Sequence, residues 1–498
     1  MTSPGAPDDR WLSRTVVRGV AWTALVKWTG QIASWGAVVV LARVLTKADY
    51  GLVGMASLYL GLIRILTEGG LGTSIVALRQ LGREEIAQFN SVALLLGLAG
   101  AALTVAAAVP AGWFFRAPNL PPVMALLSVT ALVSSLRLVP GAVLQRDLRF
   151  RALALIDGVQ GIVTTAGTVG FALLGWGYWS LVAGGLAGNA LGVLVTLAFA
   201  PQPFAWPRAS AIGRYYSFTR DVLVGRIAWY TYTNADFLVA GRMLGAAALG
   251  VYTFAWSIAS VPVEKVTGLV QRVSSAVFAR LATDRAGMSR MLLRLTEGLL
   301  VITLPASLGM AAVADDFVRL YLGPGWDEVI LPLRILCGYA AFRAVVTLLP
   351  QALTMLGDTR FLMFNAIGRA IALPIGFVIG SRWGPAGIAL GWVLVYPPFI
   401  FQVYVRLFRR LGLTLGEYLA PLLPTLRGSA VMLAAVLVLR AALDEAGPGL
   451  RLALSVATGG LVYFLAGILP QRERLLKLRA LLRRTDPAPA QTPAVEPA

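Results

Sequence analysis

The stretch ARVLTKADYGLVGM occupies Ala42 to Met55, and a related phrase, GRMLGAAALGVYTF, occupies Gly241 to Phe254. Aligned, Arg43 falls on Arg242, Leu45 on Leu244, Ala48 on Ala247 and Gly51 on Gly250. Two further echoes follow in the same order. VPGAVLQRDLRF (Val139 to Phe150) matches LPQALTMLGDTRF (Leu349 to Phe361) with one inserted residue. WGYWSL (Trp176 to Leu181) matches WGPAGI (Trp383 to Ile388). Three colinear matches at nearly constant offset mark an internal duplication.

The duplicated phrases punctuate apolar runs. Of 498 residues, 57% are hydrophobic and 13% charged, too little charge to cover a soluble protein of this size. Apolar runs of about twenty residues are each long enough to cross a bilayer as a helix. The sequence predicts an all-α polytopic membrane protein with about fourteen spans. They fall near 15–42, 50–78, 88–112, 120–143, 152–174, 178–200, 214–240, 248–275, 291–314, 328–355, 360–380, 385–408, 426–443 and 449–470. The echoes lie after spans 1 and 7, 4 and 10, and 5 and 11. Six spans are thus followed by six equivalents. An even number per repeat predicts two homologous six-helix lobes related by an axis along the membrane normal, with two extra C-terminal helices. The expected layout is a polar N-terminus 1–14, an N-lobe 15–205, a C-lobe 206–412, an added pair 413–471 and a basic, then Pro/Ala-rich tail 472–498 that is expected to be disordered.

Net charge is +19. In a soluble protein that would suggest nucleic acid; here basic loops serve as orientation signals, and no nucleic-acid partner is expected. One set of loops carries Arg79 and Arg83, Arg146 to Arg151, Arg272 to Arg290, Arg406 to Arg410 and the basic tail. The alternate set holds about threefold less Lys and Arg. Both termini are therefore expected in the cytoplasm, and the first span, lacking a cleavable-signal pattern before it, as an uncleaved insertion signal. Cys337 is the single cysteine, so no intrachain disulfide forms. Absence of histidine removes His-based catalysis, metal ligation and proton relay.

Several segments resemble a known family. ARVLTKADYGLVGMA is similar to the R-x-L-x-x-x-x-Y-G signature of bacterial polysaccharide exporters, as are TEGGLGTSIV (Thr67 to Val76), LQRDLRFRALALID (Leu144 to Asp157) and DFVRLYLGPGWDEVILPLRIL (Asp316 to Leu336). These identify the polysaccharide-transporter branch of the multidrug/oligosaccharidyl-lipid/polysaccharide exporter superfamily, over roughly residues 10 to 415. The resemblance implies a MATE-like fold and a Wzx-type flippase. It would move undecaprenyl-pyrophosphate-linked repeat units from the cytoplasmic to the outer leaflet of the bacterial inner membrane, for a polysaccharide polymerase and chain-length regulator. No covalent step and no cofactor is implied. The nearer rivals are a lipid II flippase or a multidrug antiporter of the same superfamily. A membrane glycosyltransferase or polymerase is disfavoured, because the first outer loop offers only Asp49 and the acidic pair Asp315-Asp316 adjoins the family-like segment.

Ionisable residues within spans are costly, so each is a functional candidate. Arg18, Lys27, Arg64, Arg226, Lys265, Arg343 and Arg369 are candidate cleft cations for a pyrophosphate headgroup. Glu68, Asp236 and Glu264 are candidates for binding a coupling H⁺ or Na⁺, or for offsetting nearby cations. Arg64 and Glu68, four residues apart, can also pair within their own helix. Arg137, near the basic end of its span, is expected to snorkel. Trp22, Trp28, Trp35, Trp229, Tyr230 and Tyr232 suit either a sugar platform or interfacial anchoring.

Overall fold

A computed structural model describes residues 36–68, 71, 72, 75, 81–147, 149–208, 226, 227 and 229–471. Among them, eleven stretches are long and apolar enough to cross a membrane. Helices are the expected answer in hydrocarbon, where each backbone N–H and C=O must find its partner within the segment.

In chain order the helices are α1 (36–44), α2 (Lys47–Glu68), α3 (Arg83–Phe115), α4 (Leu120–Arg146), α5 (Phe150–Leu173) and α6 (Tyr178–Phe199). Then follow α7 (Ala235–Val239), α8 (Gly245–Arg280), α9 (Arg285–Phe317), α10 (Ile330–Val346), α11 (Leu349–Met355) and α12 (Thr359–Gly380). The last are α13 (Gly384–Leu411), α14 (Leu415–Leu419), α15 (Leu423–Ala442) and α16 (Pro448–Tyr463).

Three features differ from the sequence expectation. The span predicted as continuous over 328–355 breaks at Thr347 and Leu348, between α10 and α11. Pro350 explains the break: it lacks the N–H that would bond the Val346 carbonyl, and its ring disfavours helical backbone just before it. The loop expected between spans 7 and 8 is instead a π-helical turn, Ala240–Leu244, leading directly into α8 through Gly245 at φ +83°. Helices α3 and α9 each start about five residues earlier than their apolar runs, because charged turns such as Arg83-Glu84-Glu85 extend them.

The chain divides into two compact units. One comprises the described residues up to Phe254 with Tyr321–Glu328 and Ala370–Ile388; the other comprises Ala255–Leu320, Val329–Arg369 and the described residues from Ala389 onward.

In the first unit, the two copies of the opening phrase meet. A Cβ placed on Gly51 would lie 1.7 Å from the Ala246 carbonyl oxygen, and one on Gly250 would lie 2.0 Å from the Lys47 carbonyl oxygen. Only glycine allows this approach, so the repeated glycine is where the starts of α2 and α8 touch. Around it, Tyr50, Phe254 and Trp326 pack edge to face, with centroids 4.5 to 5.9 Å apart. The Trp326 indole N–H donates to the Ala42 carbonyl at 2.9 Å, and Lys47 pairs with Glu328 at 3.0 Å. The third echo also matches in conformation: Gly177 (φ +53°) and Gly384 (φ +68°) each begin a helix after a tight turn. Left-handed backbone of this kind is steeply disfavoured for residues with a Cβ, which explains why glycine occupies both copies.

In the second unit, an apolar core runs through α8, α9, α10, α11 and α13, built on residues such as Phe278, Leu292, Leu299, Leu349 and Val403, all fully buried. Helices α15 and α16 join α9 through Val313, Val436 and Leu452 and through an ionic cluster. Fully buried Asp316 accepts from Arg440 and from both Nε and Nη2 of Arg451, while Asp315 takes Arg334 and Arg440. Arg334 is thus part of a charge network.

Candidate functional site

A cavity of about 260 Å³ lies between faces of α2 and α4 in the first unit. Helical periodicity builds it. Ser57, Gly61, Arg64, Thr67 and Glu68 recur every three or four residues on α2, and Thr130, Ala131, Ser134, Ser135 and Leu138 do so on α4.

Its charges pair with each other. Nε of Arg64 donates to Oε1 of Glu68 at 2.6 Å, the intrahelical geometry that the four-residue spacing allows. The Arg64 side chain is nevertheless 75% exposed. Ser57 and Ser135 return their hydroxyl protons to the Val53 and Leu132 carbonyls. Ser134 accepts a 2.8 Å bond from Asn189 of α6. The buried Thr130 hydroxyl has no hydrogen-bond partner among the described residues.

One helix away, Arg137 bonds Asp157 at 2.6 Å and also Gln160, both on α5. These contacts tie α4 to α5. Tyr230 donates its hydroxyl to the Leu58 carbonyl at 2.8 Å, over Gly61, where a Cβ would collide with it. This half-buried ring braces α2. Trp229 is exposed.

The second unit holds a different constellation. Trp256 of α8, Tyr339 of α10, and Trp392 and Tyr396 of α13 form a cluster with centroids 5.1 to 6.3 Å apart. Arg369 of α12 lies over the Tyr396 ring at 5.8 Å. Arg343 lines a small cleft with Trp256, Ser260 and Tyr339. Two of the predicted cations therefore flank one aromatic cluster that sequence reading missed. Its members come from three distant helices, with no local pattern to announce them. Glu297, buried in α9, was also missed, although an acid inside LTEGLLVITL is a readable signal.

The remaining candidates are scattered. Glu264 and Lys265 are exposed on α8, and Arg226 is exposed. Asp236 is fully buried and accepts a 2.7 Å bond from the Tyr252 hydroxyl. Arg18, Lys27, Trp22, Trp28 and Trp35 lie outside the described residues. Among the described residues, no group of three or more His, Cys, Asp or Glu is placed to hold a metal ion.

The family model for "Polysaccharide biosynthesis protein" matches residues 40–331, more than half of the chain. The chain belongs to this polysaccharide biosynthesis family. Among family relatives, it is 25% identical over 426 residues to the lipopolysaccharide biosynthesis protein WzxC of Escherichia coli (strain K12), covering 82% of this chain and 85% of that one. It is 26% identical over 504 residues to the succinoglycan biosynthesis transport protein ExoT of Rhizobium meliloti (strain 1021), covering 97% and 99%. Of solved structures, the lipid II flippase MurJ in an inward closed conformation superposes with a TM-score of 0.74 at 15% identity, covering 91% of this chain and all of that one. An inward-facing MATE-family multidrug transporter of the MOP superfamily gives 0.63 at 14% identity, covering 77% and 94%. The fold is therefore that of MurJ and MATE transporters.

Proposed function

We propose that the chain is a flippase of the bacterial inner membrane. It moves an undecaprenyl-pyrophosphate-linked oligosaccharide repeat unit from the cytoplasmic to the outer leaflet, where a polymerase and chain-length regulator extend it into O-antigen, capsule or exopolysaccharide. The observation that carries this reading is the cavity between α2 and α4, where serines sit among apolar residues beside the exposed guanidinium of Arg64, in a chain of the polysaccharide biosynthesis family. Hydroxyl groups suit a sugar and guanidinium suits phosphate. WzxC is named for lipopolysaccharide biosynthesis, ExoT for transport in succinoglycan biosynthesis and MurJ as a lipid II flippase, which supports this reading.

In this reading the chain has fourteen spans, two six-helix lobes and an added pair, with both termini cytoplasmic. The lobes rock about a cationic cleft, so that the headgroup is exposed first to one side and then to the other while the lipid tail stays in the bilayer. Arg18, Lys27, Arg64, Arg226, Lys265, Arg343 and Arg369 supply the cleft's charge. Asp236 and Glu264 are the acids for a coupling H⁺ or Na⁺. No bond is made or broken, so the protein is a transporter rather than an enzyme.

Depleting the protein in its host tests the proposal. Lipid-linked repeat units should accumulate on the cytoplasmic face, inaccessible to a glycosidase added outside intact cells. Accumulation of repeat units that the glycosidase digests would refute it.

A further inference from the structure

The Arg64–Glu68 pair is built one-sidedly. Glu68 takes only Nε of Arg64, and among the described residues Arg64 makes no other hydrogen bond or ion pair. Among the described residues the Nη1–Nη2 edge of its guanidinium is uncommitted, on a side chain that is three-quarters exposed and lines the cavity. That edge is the fork that grips two oxygens of one phosphoryl group. An arginine with four rotatable side-chain bonds would otherwise sweep many orientations, and a bond at Nε removes most of that freedom. Across the cavity Ser134, which accepts from Asn189, still has its own proton to donate.

We propose that Glu68 is a positioning residue in this cavity: it pins Arg64 at Nε so that the Nη1–Nη2 fork meets a phosphoryl group, while Ser134 of α4 meets a sugar hydroxyl. The choice of ligand rests on the flippase reading. The role given to Glu68 differs from that of an ion-coupling acid. Positioning needs an acceptor oxygen, whereas coupling needs a group that gains and loses a proton or binds a cation by charge. Glutamine supplies the first and not the second.

The test uses the full chain in lipid nanodiscs and titration calorimetry with two probes: a short-chain prenyl pyrophosphate carrying one hexose, and the same prenyl pyrophosphate without sugar. Arg64→Ala is expected to weaken both probes about tenfold or more, the loss of a charge-assisted fork. Glu68→Ala should weaken both severalfold, and Glu68→Gln should restore binding to within about twofold of the parent, since the amide oxygen still accepts from Nε. Ser134→Ala should weaken only the hexose-bearing probe. Glu68→Gln binding as poorly as Glu68→Ala would overturn the positioning role, and Arg64→Ala binding normally would overturn the site. Flipping of lipid-linked sugar by the parent protein in liposomes is measured separately. Its absence, with the binding pattern intact, counts against the flippase reading and leaves the subsite standing.

Discussion

Asp316 is the residue on which the attachment of α15 and α16 depends most. It is fully buried and accepts one bond from Arg440 of α15 and two from Arg451 of α16. Those arginine side chains are only 11% and 13% exposed. Asp316→Ala leaves two guanidinium groups buried, and removing one partner of a buried ion pair costs about 3–5 kcal/mol. Partial compensation places the loss at the lower end. Arg440 keeps Asp315 at 3.3 Å, and Arg451 keeps Asp444 at 3.4 Å. About 3 kcal/mol corresponds to a rise of about 150-fold in local opening. Hydrogen–deuterium exchange of the protein in detergent should show this rise in α15, α16 and the end of α9, with α2 to α6 unchanged. Replacing Arg440 and Arg451 by methionine in the Asp316→Ala background should recover much of the protection, because no buried charge is then stranded. Exchange in α15 and α16 within threefold of the parent would refute the reasoning, as would an equal rise across the whole chain.

Two further outcomes follow from the geometry. Gly51→Ala should destabilise the protein by about 1–3 kcal/mol, because its Cβ meets backbone that cannot swing aside. Gly54→Ala, whose Cβ would sit in ordinary contact at 3.7 Å, should be near neutral, and thermal unfolding of the two variants in detergent compares them directly. In the loop before α12, hydrogen bonds from Arg406 and Arg410 hold the Asp358 carboxyl below the usual carboxylate range. Its contribution to stability is thus full above the unfolded value of about 3.9 and is lost as pH falls through the lower folded value. Asp358→Asn should be less stable than the parent at pH 7, and the gap should narrow as pH falls below the unfolded carboxylate value of about 3.9 in an acid titration followed by circular dichroism.

The spans were legible because lipid leaves the backbone one local solution, and hydropathy reads it directly. The recurring glycines were legible because they stand where no other residue fits: Gly51 and Gly250 at a backbone contact, and Gly177 and Gly384 at left-handed turns. The pairing of Arg64 with Glu68 followed from helical spacing alone. Tertiary partners were not legible. Nothing near Arg137 in sequence announces Asp157, and nothing joins Trp256 to Tyr339 and Trp392 before the helices pack. The hydroxyl stripe Thr130, Ser134 and Ser135 had a readable period, but its meaning depends on facing α2 across an open space. The break at Thr347 was signalled by Pro350 and was obscured by the unbroken hydropathy around it.

The central claim is transfer of a lipid-linked sugar across the bilayer, and one measurement tests it most directly. The purified protein is placed in liposomes containing a fluorescent undecaprenyl-pyrophosphate oligosaccharide, and the label reached by a membrane-impermeant quencher is followed over time. Protein-dependent transfer that falls about tenfold with Arg64→Ala is the expected result. No transfer above protein-free liposomes, together with efflux of a soluble organic cation, would contradict the account.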